Sequence, residues 1–189
     1  LDSQVTDSAA ASSSWGSGSR IGNGGVNQLP DGRNLKTLYE VLGSAGWARG
    51  LVTTTEITHA TPAGFAAAVA KRGMGEEIAA QYLERGVEVL LGGGRKHFDP
   101  ATRKDKRDLY ADYKTKGYEV MQTRAELDAA PLDKPWLGTF SDSHLPYTVD
   151  QVNDAGLQKA VPTLVEMTDK ALKKLGRSQR FILQVEGGR

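Results

Sequence analysis

The chain has 189 residues, enough for a buried core, with 39% apolar and 25% charged residues, the balance of a globular protein. Its formal net charge is +1 and it has no Lys/Arg run interleaved with aromatics, which argues against a nucleic-acid partner. Cysteine is absent, so disulfides, thiolate metal sites and cysteine nucleophiles are excluded, and no apolar run approaches membrane-spanning length.

In chain order, a short β-like stretch ends at Val5-Thr6-Asp7, and Ser8 opens a helix-forming run over residues 8–15. Residues 16–34, rich in Gly, Asn and Ser, read as a loop. Leu35, Leu38, Tyr39, Leu42 and Ala45 recur at helical spacing, and Leu51 to Thr55 is a β-branched strand. Thr61-Pro62 starts a helix that takes in Ala63 to Val69, with Thr61 as its cap and Pro62 in its first turn. Ile78, Ala79, Tyr82 and Leu83 mark another helix. Val87 to Leu91 is an apolar strand closed by Gly92-Gly93-Gly94. Residues 95–108 are densely charged and read as a solvated loop, with His97 exposed. A helix around Leu109 and Tyr113, a strand over Tyr118 to Met121, a helix over Arg124 to Ala129 and a strand over Trp136 to Phe140 follow. Residues 141–161 read as irregular. Pro162 to Leu175 is a helix, and Phe181 to Val185 is a buried strand.

Strands alternating with helices define an α/β protein with a mostly parallel central sheet and helices on both faces. Leu1 to Val5 carries no secretory n-region or h-region, and the last strand stops four residues before Arg189. The sequence therefore reads as one incomplete domain, 1–189, an internal piece truncated at both ends.

Ligands of such sheets sit beyond the carboxyl ends of strands. Thr6-Asp7-Ser8, Thr55 to Thr61, and Glu186 fall at that edge together. Ser8 in the first turn of a helix meets unpaired N–H groups and the positive end of the dipole, which suits a serine attacking a phosphoryl group beside Asp7. The same Asp-Ser-Ala-Ala run also reads as a plain helix cap. Thr61 is either a cap or a hydroxyl ligand for a hard cation. Arg72 is either a solvated helix-end residue or a paired donor to phosphate oxygens. Glu186, before Gly187-Gly188, suits metal or substrate. His59 lies two residues before Thr61 and is a candidate supporting residue. His144 carries no mechanistic expectation. Gly16-Ser17-Gly18-Ser19-Arg20 lacks the Gly-Lys-Ser/Thr ending of a P-loop.

The ordered set resembles the alkaline phosphatase family. It comprises Val5-Thr6-Asp7-Ser8-Ala9-Ala10 with Trp15, Ala60-Thr61-Pro62-Ala63, Arg72, and Leu91-Gly92-Gly93-Gly94. It continues through Pro162-Thr163-Leu164 with Met167-Thr168-Asp169-Lys170-Ala171-Leu172 to Leu183-Gln184-Val185-Glu186-Gly187. The resemblance implies a three-layer sandwich that hydrolyses phosphate monoesters through a phosphoserine on Ser8. It also implies that Asp7 orients a phosphate-binding Arg72, that Ser8 faces one of two zinc ions, and that Thr61 and Glu186 ligate one magnesium. A homodimer in the periplasm or outside the cell is implied for the full-length protein. Most zinc ligands of the family fall outside these 189 residues, so the piece alone is expected to be inactive. His59 stands where some relatives carry Asp. A phosphodiesterase or sulfatase of the same superfamily and a non-catalytic anion-binding module are the alternatives.

Overall fold

The computed structural model describes residues 5–188 and divides into two units. The first holds the described residues up to Trp47 together with Thr58–Val87. The second holds Ala48–Ile57 and the chain from Glu88 onward.

The first unit is helical: α1 (Ser8–Ser17), α2 (Leu38–Ser44), α3 (Ala60–Ala66) and α4 (Gly75–Glu84). α1 starts at Asp7, whose carboxylate accepts from the Ala10 N–H at 2.9 Å, and ends at Gly18 with φ 73°. Gly16, expected in the loop, lies inside this helix. It has no side chain because α1 and α3 touch there: a Cβ at Gly16 would overlap the Gly64 carbonyl, and one at Gly64 would overlap Ser12. Ser12 Oγ closes the contact by donating to Ala60 O at 2.8 Å. α2 begins with a reciprocal capping box between Thr37 and Glu40. The Gln81 side chain both donates to Ala68 O and accepts from Ala68 N, at 2.9 and 2.8 Å, fixing the segment that follows α3 to α4. Tyr39, Ile78 and Tyr82 are fully buried in this unit.

The second unit carries β1 (Ala48–Glu56), β2 (Val89–Gly93), β3 (Glu119–Met121), β4 (Trp136–Thr139) and β5 (Phe181–Glu186). They form one sheet in the order β3-β4-β2-β1-β5, every neighbouring pair parallel. The interior strands read as continuous apolar or β-branched runs because both of their faces are covered. Residues 49–55 of β1 and all of β2 are buried. The helices of this unit are α5 (Leu109–Thr115), α6 (Arg124–Ala129), α7 (Thr148–Asn153), α8 (Ala155–Ala160) and α9 (Leu164–Leu175). Met167, Ala171 and Leu175 of α9 join Val52, Val89, Leu91 and Trp136 in one buried cluster. At about 25 cal/mol per Å² of apolar surface, such burial is the main term holding sheet to helix.

The α/β class and the alternation of elements agree with the sequence reading. The β-like stretch ahead of Asp7 falls mostly outside the described residues, and Val5 and Thr6 are in no strand. The α3 helix begins one residue before Thr61 and stops at Ala66, not Val69, so His59 is the cap position and Thr61 lies inside the first turn. Residues 141–161, expected irregular, contain α7 and α8. α8 forms because Asp154 caps it, accepting from Gly156 and Leu157 N–H.

Candidate active site

Asp7 is the hub of the first unit's polar site. Its Oδ1 caps α1, and its Oδ2 accepts from Arg72 Nη1 and from the Gly24 N–H, each at 3.1 Å. Burial pushes this carboxyl up, but the bonds from Ala10, Arg72 and Gly24 outweigh it and hold the group below its ordinary value. Arg72 Nη2 lies 3.1 Å from His59 Nε2. The guanidinium is thus held from two sides, by a carboxylate and an imidazole. Each terminal nitrogen still carries a second N–H able to meet an anionic oxygen.

Ser8 follows Asp7 directly at the first position of α1 and is half-buried. The N–H groups of Ser8 and Ala9 have no acceptor within the helix, so they and the dipole favour a negative group there. Ser8, Asp7, His59 and Arg72 therefore belong to one constellation, and Thr61 sits two residues along α3 from His59.

Glu186 belongs to the second unit, as the last residue of β5, paired in register with Thr53 of β1. Its Oε2 accepts from Thr53 Oγ1 at 2.7 Å and from Thr55 Oγ1 at 3.2 Å. Two hydroxyls on one oxygen orient the carboxylate and leave Oε1 for another partner. Gly188 N–H donates to Thr54 Oγ1 at 3.0 Å, folding the chain back beyond the strand.

The sequence reads Thr53 only as a strand former and Thr55 as the start of a segment at the sheet's carboxyl edge, and assigns neither as a partner of Glu186. A strand of three consecutive threonines, two of them facing one way by the period of two, was the available signal.

A second polar cluster lies at the same carboxyl end of the sheet. Glu56, the last residue of β1, accepts from Lys96 Nζ at 2.5 Å and Ser143 Oγ at 2.7 Å, and its Oε2 lies 2.7 Å from His97 Nε2. Its N–H donates to His144 Nδ1 at 3.0 Å. His97 is therefore not an exposed loop residue; its side chain is 15% exposed. The charged stretch 95–108 is docked because Arg103, 2% exposed, donates to His97 O and pairs with Asp105. Burial raises the Glu56 carboxyl, but His97, Lys96 and Ser143 outweigh it and draw it far below the ordinary range.

Thr61 and Glu186 offer hard oxygen donors of the kind magnesium takes. Among the described residues, no group of three or more His, Cys, Asp or Glu side chains forms a metal-binding set, so the residues present do not constitute a zinc site.

Fold and site together define an α/β protein in which an arginine and a carboxylate pair at the N-terminus of the helix that Ser8 begins. A family model described as alkaline phosphatase matches residues 1–189, and the chain belongs to the alkaline phosphatase family. Alkaline phosphatase 3 of Bacillus subtilis (strain 168) is 38% identical over 98% of this chain and 39% of its own length. The crystal structure of Thermus thermophilus alkaline phosphatase superposes with a TM-score of 0.91 at 45% identity, covering 98% of this chain and 39% of that one. A histidine-to-glutamate mutant of the TAB5 alkaline phosphatase, with magnesium bound in its M3 site, gives a TM-score of 0.82 at 26% identity over 97% of this chain and 51% of its own. The chain thus spans 39% of the length of the first two relatives. No helix among the described residues is long and apolar enough to cross a membrane.

Proposed function

We propose that the full-length protein carrying this chain hydrolyses phosphate monoesters, with Ser8 as nucleophile. The observation that carries the reading is the Arg72–Asp7 pair at 3.1 Å, set at the N-terminus of the helix that Ser8 begins. Arg72 grips two non-bridging phosphate oxygens, and Asp7 and His59 restrict where its guanidinium can point. The Ser8 and Ala9 N–H groups and the helix dipole favour the same charge.

In this reading Ser8 Oγ attacks phosphorus in line with the leaving oxygen. The bond from phosphorus to the alcohol oxygen breaks, the Ser8 proton passes to solvent, and the departing alkoxide takes one up. Water then attacks the phosphoserine, the bond from Oγ to phosphorus breaks, and inorganic phosphate leaves as the Ser8 hydroxyl is restored. Positioning and charge stabilisation supply most of the rate.

Thr61 and Glu186 are the proposed magnesium ligands, supported by their donor chemistry, by the two hydroxyls that orient Glu186, and by family membership. A bound magnesium would supply fixed positive charge. Two zinc ions are proposed for the full-length protein on family grounds, and no step here runs through them. The 189-residue piece by itself is proposed to be inactive, since it spans 39% of the first relative's length. A homodimeric state and a periplasmic or secreted location are proposed on the same family basis.

Steady-state turnover of a phosphate monoester, a diester and a sulfate ester by the full-length protein tests the substrate class. Monoester turnover should dominate and Arg72→Ala should depress it selectively, because a diester offers fewer free oxygens to the guanidinium. Preference for the diester or the sulfate would reject the reading.

A further inference from the structure

The segment between α1 and α2 is bonded to two members of the Ser8 constellation, Asp7 and Arg72. Asn23 Oδ1 accepts from the Asp7 N–H at 3.1 Å, and Asn23 Nδ2 donates to Val5 O at 3.0 Å. The Gly24 N–H donates to the same Asp7 oxygen that receives Arg72, and Gly24 O accepts the Arg72 backbone N–H at 2.7 Å. Two residues on, Val26 and Val69 exchange both backbone hydrogen bonds, at 3.0 and 2.8 Å. Asn27, fully buried, donates from Nδ2 to Gly64 O at 2.6 Å and Ala67 O at 2.8 Å, and its N–H donates to Ser13 Oγ. One strap of chain thus reaches α1, the end of α3 and the stretch leading to Arg72.

We propose that Asn23 and Gly24 are positioning residues that set the Asp7–Ser8 backbone against the Arg72 guanidinium. The proposal rests on the reading of Ser8 and Arg72 given above. An arginine side chain is costly to immobilise, so its partner must itself be fixed for the pair to present donors in one place. Asp7 lies at the start of its helix, preceded by Val5 and Thr6, which are in no strand. Asn23 fixes the chain entering it, through the Asp7 N–H and the Val5 carbonyl. Gly24 ties the carboxylate of Asp7 and the backbone of Arg72 to a single residue. Its φ of 85° is one that side chains other than glycine adopt with strain, while a Cβ there would meet nothing within 4 Å. Gly24→Ala therefore perturbs backbone direction without a clash. Asn23 is exposed, so truncating it leaves no cavity.

The test uses the full-length, metal-replete protein and reads kcat, KM for a monoester, the inhibition constant for inorganic phosphate, and the melting temperature. Asn23→Ala, which removes the bonds to the Asp7 N–H and the Val5 carbonyl, should raise KM and the phosphate inhibition constant about fivefold, with kcat nearly unchanged and the melting temperature lowered only slightly because both bonds are exposed. Gly24→Ala should act in the same direction. In an Arg72→Ala background, Asn23→Ala should change phosphate affinity less than about twofold, since the group it positions is gone. An unchanged phosphate constant in Asn23→Ala, or a full fivefold effect persisting without Arg72, overturns the strap's role. Arg72→Ala leaving phosphate affinity intact overturns instead the site reading beneath it.

Discussion

Arg72 Nη1 donates to Asp7 Oδ2 at 3.1 Å, joining a helix cap to a side chain 65 positions later. Asp7 thereby does two separable things: it caps α1 through Oδ1 and anchors the arginine through Oδ2. Asp7→Ala should lose both, costing about 1 kcal/mol of stability from the cap and weakening phosphate binding. Asp7→Asn should keep most of the cap while losing the charge that holds Arg72. Urea denaturation and phosphate inhibition, measured side by side, should show stability restored and affinity not restored in the Asn variant.

Glu56 makes stability pH-dependent in a stated direction. Its folded-state pKa lies below the ordinary 4.5, so it contributes fully above about pH 4.5, and the contribution is lost as pH falls through the lower folded value. With the side chain 14% exposed, solvent screens the interaction little. Glu56→Gln should lower the denaturation midpoint at neutral pH and flatten its decline between about pH 5 and pH 3. A variant with the wild-type slope would show that the cluster of Lys96, His97 and Ser143 contributes nothing.

The α1–α3 crossing leaves no room for a methyl group at Gly16 or Gly64. Gly16→Ala should destabilise the first unit by about 1–3 kcal/mol through forced separation of the two helices. Gly73→Ala, where a Cβ meets nothing within 4 Å, is the control and should change the midpoint little. Equal effects at the two positions would mean that a general cost of replacing glycine, not close approach of the helices, sets the outcome.

Thr53→Val keeps the shape of the strand residue but removes the hydroxyl that donates to Glu186 at 2.7 Å. Magnesium affinity of the full-length protein should fall about tenfold by direct titration, and Thr53→Ser should restore it. Failure of Ser to restore binding would point to packing in place of orientation.

The periodicities of 2 and 3.6 made most elements legible, because each element buries one stripe or two faces in its own unit. α6 at Arg124–Ala129 and the Ile78–Leu83 face of α4 are examples. The short α7 and α8 are not legible, since both are mostly exposed, α7 has no side-chain cap at its start and α8 depends on Asp154 as its cap. At the site, Ser8, Asp7, Arg72 and His59 are signalled by their residue types and are brought together in the first unit. Asn23 and Gly24 are not signalled, because a Gly-rich loop looks the same whether it is slack or bonded at each residue. The docking of His97 is not signalled for a related reason: charge in a sequence says nothing about a half-buried carboxylate such as Glu56 opposite it.

The most direct measurement is the fate of Ser8 during turnover. The full-length protein is mixed with a phosphate monoester, quenched in acid within the first turnover, digested and analysed by mass spectrometry. The account predicts one phosphate on the peptide containing Asp7-Ser8-Ala9, a matching burst of released alcohol, and loss of both in Ser8→Ala. Phosphate on a different residue, or an undiminished burst in Ser8→Ala, would contradict it.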